Sequence, residues 1–354
     1  MGIARRDYSL NGEETRRAWE KGLVSAEWYR TPVPRARLKE LMKRRNFPGL
    51  WHLFLWYALI AGFGVLTWLT WGTWWMAPAY LAYCTILTGS SDPRWHEFGH
   101  GTATAIPWLN DAVYNFASFF LLREPTVWRW SHTRHHTDTI IVGRDPEIVN
   151  PRPPDFRALV LTAFNLTGGP KTIKHVFIHA LGKKTFPEED FVPEAEWWRV
   201  HLAARVWVAI WLGVIALAIG TGSVLPIALV LVPPFLGHWI VLFFGMTQHL
   251  ALAEDVLDHR LCTRTVYMNP VLRFLYLNMN YHVEHHMYPL VPYHALPRLH
   301  EEVKADCPAP CPSVWAAYRE IIPTMFRQRR DPETWIEKEL PARPAEAKAA
   351  AAAE

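Results

Sequence analysis

The sequence predicts an all-α integral membrane protein, with four transmembrane helices in two hairpins and a cytosolic helical cap that holds a set of histidines. Two observations carry that expectation. Asp, Glu, Lys and Arg are absent from Asn46 to Ser91, and again from Val206 to Ala253. Eight histidines fall into three clusters: His96-Glu-Phe-Gly-His100, His132-Thr-Arg-His135-His136 and His282-Val-Glu-His285-His286.

Each charge-free stretch is twice as long as the about 20 apolar residues that one bilayer crossing takes. Each therefore fits two helices and a turn, since a helix satisfies its own backbone inside lipid. Gly72 marks the first turn and Gly220-Thr-Gly-Ser223 the second, which puts the spans near 50–70, 72–92, 197–219 and 224–249. Trp68, Trp71, Trp74 and Trp75 gather at one predicted membrane edge, where indole rings anchor. Residues 1–48 carry twelve Lys and Arg, including Lys43-Arg44-Arg45, and neither interhelical turn carries any. Lys and Arg stay on the cytoplasmic side, so the N-terminus, the 93–195 loop and the C-terminal region are predicted there. All three clusters then lie on that face.

The predicted organisation is a basic cytosolic segment (1–48), a membrane domain (49–305), a cytosolic C-terminal segment (306–340) and a disordered Ala/Pro/Glu/Lys tail (341–354). Asn110 to Leu122 reads as an amphipathic helix with Val113, Phe116, Phe119 and Phe120 on one face. Pro125 to Thr137 carries the second cluster on a helix, and Arg157 to Leu181 reads as a helix interrupted at Gly168-Gly169-Pro170. No signal peptide is evident. The net charge of +4 carries no nucleic-acid signature, and the basic residues suit contact with the lipid bilayer. Four cysteines give no disulfide framework, and Cys307-Pro-Ala-Pro-Cys311 reads as a reduced loop.

Neutral imidazoles at i, i+3 and i+4 share one helix face and can bind one metal together. With 17 His in 354 residues, chance supplies a His-x-x-His-His pattern roughly 0.04 times per chain, and here it occurs twice. Eight or more histidines exceed the ligands of a structural zinc site and suit two metals with about four nitrogens each. Ligand type leaves the metal open: two zinc ions could serve hydrolysis, whereas a membrane-apposed site with an oxidisable apolar substrate favours iron and O2. Glu97, Asp138, Asp145 and Glu284 stand close enough in sequence to accept hydrogen bonds from the outer ring N–H groups. His249 closes the last predicted span, where a titratable group faces protein or cavity rather than lipid, and is a candidate ninth ligand. His52 and His238 lack partners at helical spacing and read as structural; the pair His175 and His179 is left outside the set.

The order of the three clusters, with paired spans between them, resembles the membrane fatty acid desaturase/hydroxylase superfamily. The run from Asn278 through His282, His285 and His286 to Pro289 is similar to the third histidine box of acyl-lipid desaturases. His132-Thr-Arg-His-His-Thr-Asp-Thr, followed by Arg144-Asp145-Pro146-Glu147, is similar to the second. Within the superfamily, the third-box neighbourhood is similar to bacterial members such as the rhizobitoxine-biosynthesis desaturase, which acts on an amino-acid enol ether.

The resemblance covers roughly residues 50–305 and implies two iron ions beneath a cytosolic cap, reached by a tunnel from the membrane. It implies His96, His100, His132, His135, His136, His282, His285 and His286 as ligands, with His249 as the further ligand that relatives take from the last span. Some relatives carry an Asn one turn before that histidine; here Gly245 stands there, and Asn278 or Gln248 is the candidate substitute.

The implied chemistry is O2-dependent abstraction of hydrogen from an unactivated C–H bond, as a desaturase of an acyl chain or acyl-like small apolar metabolite. A hydroxylase or oxidative dealkylase would use the same site. A membrane zinc hydrolase or metal transporter is the remote alternative; transporters need polar or charged groups at mid-membrane depth, whereas these spans are nearly silent and the histidines gather at one side. With no His-Pro-Gly-Gly motif, ferredoxin cysteine set or flavin fold in the sequence, electrons are expected from a separate ferredoxin, rubredoxin or cytochrome. Arg134 or Lys183-Lys184 would dock it.

Overall fold

The computed structural model describes residues 6–342, and within them the chain is helical, with no strand and only isolated β-bridges. The tail expected from Pro341 lies, from residue 343 on, outside the described residues. Glu13–Glu20 (α1) and Arg35–Leu41 (α2) precede the long helix Asn46–Leu69 (α3). Met76–Cys84 (α4) returns along α3 and passes through a π-helical turn, Thr85–Gly89, into Ser91–Gly99 (α5). Pro107–Leu121 (α6) packs against α5, and Pro125–Thr137 (α7) follows after a left-handed Leu122. Phe156–Ala163 (α8) and Gly168–Ala180 (α9) lead to the second long helix, Trp197–Thr221 (α10).

Two helical runs among the described residues, Arg35–Leu69 and Glu194–Thr221, are long and apolar enough to cross a membrane. Phe54, Leu66 and Leu69 on α3, and Leu212, Leu217 and Ile219 on α10, point outward. Apolar side chains on an outer surface suit lipid as solvent, since no core remains for them to fill.

The second and fourth expected spans are not continuous helices. Where 224–249 reads as one apolar run, the chain forms Leu225–Val230 (α11), Pro233–Leu236 (α12) and Trp239–Gly245 (α13). Proline opens α11 within its first turn and α12 at its start, where its missing N–H does least harm. Pro233 cannot donate to the Leu229 carbonyl, and Tyr83 Oη donates to it instead at 2.9 Å. Tyr80 Oη likewise serves the Ala228 carbonyl. The break survives because neighbouring side chains take over the freed backbone groups.

Close approach holds these short helices together. A Cβ on Gly237 would lie 2.0 Å from the Cys84 carbonyl oxygen, and one on Gly89 would lie 1.8 Å from Ile240 Cγ2. Two glycines thus let the π turn press against α12 and α13, as small residues do between membrane helices. The helix expected over 157–181 breaks at 164–167, and Gly168-Gly169-Pro170 opens α9 rather than interrupting it.

Beyond α13 lie the short helices His259–Cys262 (α14), Pro270–Leu275 (α15) and His282–Met287 (α16), then Leu296–Val303 (α17) and Val314–Gln328 (α18). Their core is built from Tyr276, Leu277, Met287, Leu296, Leu299 and Val303, and Leu41 of α2 is buried in it. The N-terminal segment therefore folds onto this cap. Tyr29 Oη donates to Asp306, and Thr31 Oγ1 does so at 2.7 Å.

Candidate metal centre

Four elements converge on one point: the end of α5 (His96, His100), the last turns of α7 (His132, His135, His136), the turn after α13 (His249) and α16 (His282, His285, His286). The structure brings all nine predicted histidines together, in two groups. His96, His100, His132, His136 and His285 form one; His135, His249, His282 and His286 form the other, with the ring nitrogens of each group within 4.8 Å of one another.

Each His-x-x-His-His box is therefore divided, contrary to the expectation that one box grips one metal. At 3.6 residues per turn, i and i+4 are offset by about 40°, whereas i+3 falls about 60° to the other side. His132 and His136 stay together and His135 turns to the second group; His282 and His286 stay together and His285 turns to the first.

Within the groups Nε2 atoms face one another: His96 to His285 at 2.6 Å, His100 to His132 at 3.2 Å, His132 to His136 at 3.1 Å, His249 to His282 at 3.2 Å and His282 to His286 at 3.1 Å. His249 Nδ1 lies 2.9 Å from the Cys262 carbonyl, which can only accept, so its proton sits there and Nε2 presents a bare lone pair. His135 Nδ1 faces Asp145 at 2.8 Å and His132 Nδ1 faces Glu147 at 3.2 Å, with the same consequence. Bare lone pairs pointed at one another repel unless a cation lies between them. With metal–nitrogen bonds of about 2.1 Å, neighbouring donors of one ion stand roughly 3 Å apart, so the donor set fits a metal in each group.

Electrostatics point the same way. Burial first, then the neighbouring rings, hold His96, His100, His136, His282, His285 and His286 well below the ordinary imidazole value, so these rings are neutral donors. His135 is the exception: burial acts to lower it, but the Asp145 charge and hydrogen bond outweigh it and raise the ring to about 9, so a metal binding there has to displace the proton on its Nε2. Burial works to raise Glu147, and the adjacent His132 ring with its hydrogen bond overrides it, taking the carboxyl down to about 2.

The other polar residues expected around the metal divide sharply. Asp145 does hold a ring, and its Oδ2 also accepts from Ile140 N–H at 2.8 Å. Ile140 is a β-branched residue at φ 53, a strained conformation that this bond helps to hold beside the site. Glu97 touches no ring: its Oε1 accepts from Thr102 Oγ1 and Tyr293 N–H, and burial raises it to about 8. Asp138 pairs with Arg144, Glu284 with His300 and Thr265, and Asn278 bonds Arg273 and the Tyr293 carbonyl. Gln248 donates to Tyr276 Oη at 2.6 Å and lines the cavity described below. These five belong to the scaffold around the rings rather than to the rings.

Three ring partners were missed: Glu147 on His132, the Cys262 carbonyl on His249, and Thr139 Oγ1, 3.2 Å from His286 Nδ1. Glu147 had a signal, since it closes the run that follows the second box. A backbone carbonyl thirteen residues away has none. Of the histidines set aside, His179 is buried with Nδ1 2.8 Å from Glu124, and His52 stacks on Phe274, both away from the two groups.

A cavity of about 230 Å³ opens beside His96, His132, His135, His249 and His282. Trp95, Trp128, Val241, Leu242 and Met246 give it an apolar wall, and Arg123, Gln248 and Asn150 add polar groups. A second, larger cavity of about 900 Å³ shares Leu242 and Met246 and is lined by Trp239, Phe243, Leu272, Trp315 and Tyr318.

The fatty acid desaturase family model matches residues 70–318, a stretch that contains all nine histidines. The chain belongs to the fatty acid desaturase family. It is also similar to a Delta(12) fatty acid dehydrogenase of Crepis alpina, at 26% identity over 262 residues. That alignment covers 65% of this chain and 66% of the relative, just under two thirds of its length. Desaturase-family membership makes the protein membrane-bound, and together with the histidine groups it suggests an iron site. The four cysteines, all buried and free, take no part in the groups.

Proposed function

We propose that this desaturase-family protein is an O2-dependent di-iron oxidoreductase that removes hydrogen from an unactivated C–H bond. We read it as a desaturase that forms a C=C bond in an acyl chain or an acyl-like small metabolite. The convergence of nine imidazoles into a group of five and a group of four carries the reading. Each group would hold one iron ion, and the pair would supply the O2 activation and hydrogen-abstracting chemistry when bound.

The chain's own residues prepare that chemistry. Asp145, Glu147, Thr139 and the Cys262 carbonyl fix the rotation of His135, His132, His286 and His249, so their inner nitrogens stay in place. Trp95 and Trp128 form part of the cavity's apolar wall. Leu242 and Met246 stand between the small cavity and the larger apolar one, which suits an alkyl chain approaching from the α13–α18 side. Placement of the substrate carbon within this cavity decides between loss of a second hydrogen and transfer of hydroxyl.

The same reading sets the chain in the bilayer with four crossings, two of them broken, and the N-terminus, C-terminal region and metal groups on the cytoplasmic side. Lys43-Arg44-Arg45 before α3 support that orientation. Residues 49–305 form the membrane domain, and electrons come from a separate carrier protein.

Mass spectrometry of lipids and small metabolites, with and without expression of the active protein under 18O2, tests the function. A product two hydrogens lighter and free of 18O is expected. Retained 18O would make the protein a hydroxylase or dealkylase, and no changed metabolite together with zinc as the bound metal would contradict the oxidative reading.

A further inference from the structure

Electrons have to reach a centre sunk beneath the surface, and one aromatic contact outside the histidine boxes leads there. Trp28, in the segment between α1 and α2, stacks flat on His259, with centroids 4.2 Å apart and planes 7° apart. His259 in turn packs against His286, centroid to centroid 5.1 Å. His259 is 2% exposed, and its Nδ1 has no hydrogen-bond partner among the described residues. A buried polar ring is costly when left unbonded, so its place between Trp28 and His286 calls for a reason other than hydrogen bonding. Trp28 is pinned from the far side: Nε1 donates to the Thr137 carbonyl, at the end of α7, at 2.9 Å. It is half-buried, so the three rings run from the surface to the four-histidine group.

The surrounding charge is mostly positive. Lys21, Arg30, Arg35 and Lys39 are exposed along the same segment, against the single exposed Glu27. The neighbouring acids are taken, Asp306 by Arg260 and Glu302 by Arg37. The docking residues expected from the sequence are in part engaged elsewhere. Arg134 is largely buried and pairs with Asp190 and Asp138, and Lys184 pairs with Glu194.

We propose that the segment around Trp28 is the docking face for a small one-electron carrier protein with an acidic surface, and that Trp28 and His259 form the electron path to the group containing His286. The proposal rests on the iron reading above. Tunnelling decays steeply with distance, and stacked rings in van der Waals contact shorten the gap. Each reduced carrier, a [2Fe–2S] ferredoxin for instance, gives up one electron and leaves oxidised. Two such electrons, two protons from solution and the two hydrogens taken from the substrate reduce one O2 to two waters.

The test uses the iron-loaded protein without substrate or O2, reduced in a stopped-flow instrument by plant-type [2Fe–2S] ferredoxin or by dithionite. Trp28→Leu is expected to lose most of the ferredoxin-driven rate while keeping wild-type iron content, melting temperature and dithionite rate. Trp28→Phe, which keeps a ring, should recover much of that loss. Arg30→Glu combined with Lys39→Glu should weaken ferredoxin binding to the metal-free protein about tenfold and flatten its salt dependence. Wild-type ferredoxin rates in Trp28→Leu overturn the path, and so does an equal loss with dithionite, which would make Trp28 a structural support. A wild-type protein with no dithionite-reducible iron defeats the metal reading itself, and the path with it.

Discussion

Five rings and four rings lie side by side in this site, and the smaller group is the better anchored. Three of its four rings have an outer nitrogen held: His135 by Asp145, His249 by the Cys262 carbonyl and His286 by Thr139. In the five-ring group Glu147 holds His132, while among the described residues the outer nitrogens of His136 and His285, like that of His282 in the smaller group, are buried without a partner. His100 and His136 are also only partly buried, whereas in the smaller group only His249 is. A ring held at its outer nitrogen keeps its inner lone pair aimed, so the four-ring group depends on its anchors and the five-ring group on its number of donors.

Removing a ring from either group should have the largest effect. His135→Ala takes a quarter of the donors from one group and His285→Ala a fifth from the other. Each variant is expected to insert normally into the membrane, lose iron and have no measurable turnover. Iron analysis of the membrane-extracted protein checks this, and full iron in either variant would remove that ring from the site. His249→Ala should follow closely, with severe loss of activity and of one ion's worth of iron. Wild-type activity there would make His249 an interfacial side chain rather than a donor.

The anchors come next. Asp145→Asn should weaken metal binding about 10–100-fold, because it strips charge from the one carboxylate hydrogen-bonded to the four-ring group among the described residues. Glu147→Gln should cost less, since four further rings share its ion. Competition for iron with a chelator of known affinity measures both, and equal losses would erase the difference between the groups. The smallest effect belongs to Glu97→Gln, whose carboxyl bonds Thr102 and Tyr293 rather than a ring. Iron affinity within a factor of about two of wild type is expected there, the scatter of a substitution that leaves ring orientation alone.

The sequence made the histidine set legible because box spacing is local: a helix turns three- and four-residue separations into one face. The division of each box between two groups was not legible. It depends on where α5, α7 and α16 stand relative to one another, and a rotation of about 100° per residue decides which ring faces which neighbour. Asp145 could be read as an anchor from its place beside the second box, but so could Glu97, Asp138 and Glu284, which turn to Thr102, Arg144 and His300 instead. The long helices α3 and α10 followed from uninterrupted apolar length. The broken path through α11, α12 and α13 did not, although Pro233-Pro234 stood in plain view, because Tyr80 and Tyr83 repair the break from another helix.

Metal analysis of the purified, active protein tests the central claim most directly. Two irons per chain are expected in the wild type, with about one retained in His135→Ala and about one in His285→Ala, on the ratio of one ion per group. A single ion per chain, or zinc in protein that turns over, would contradict the account.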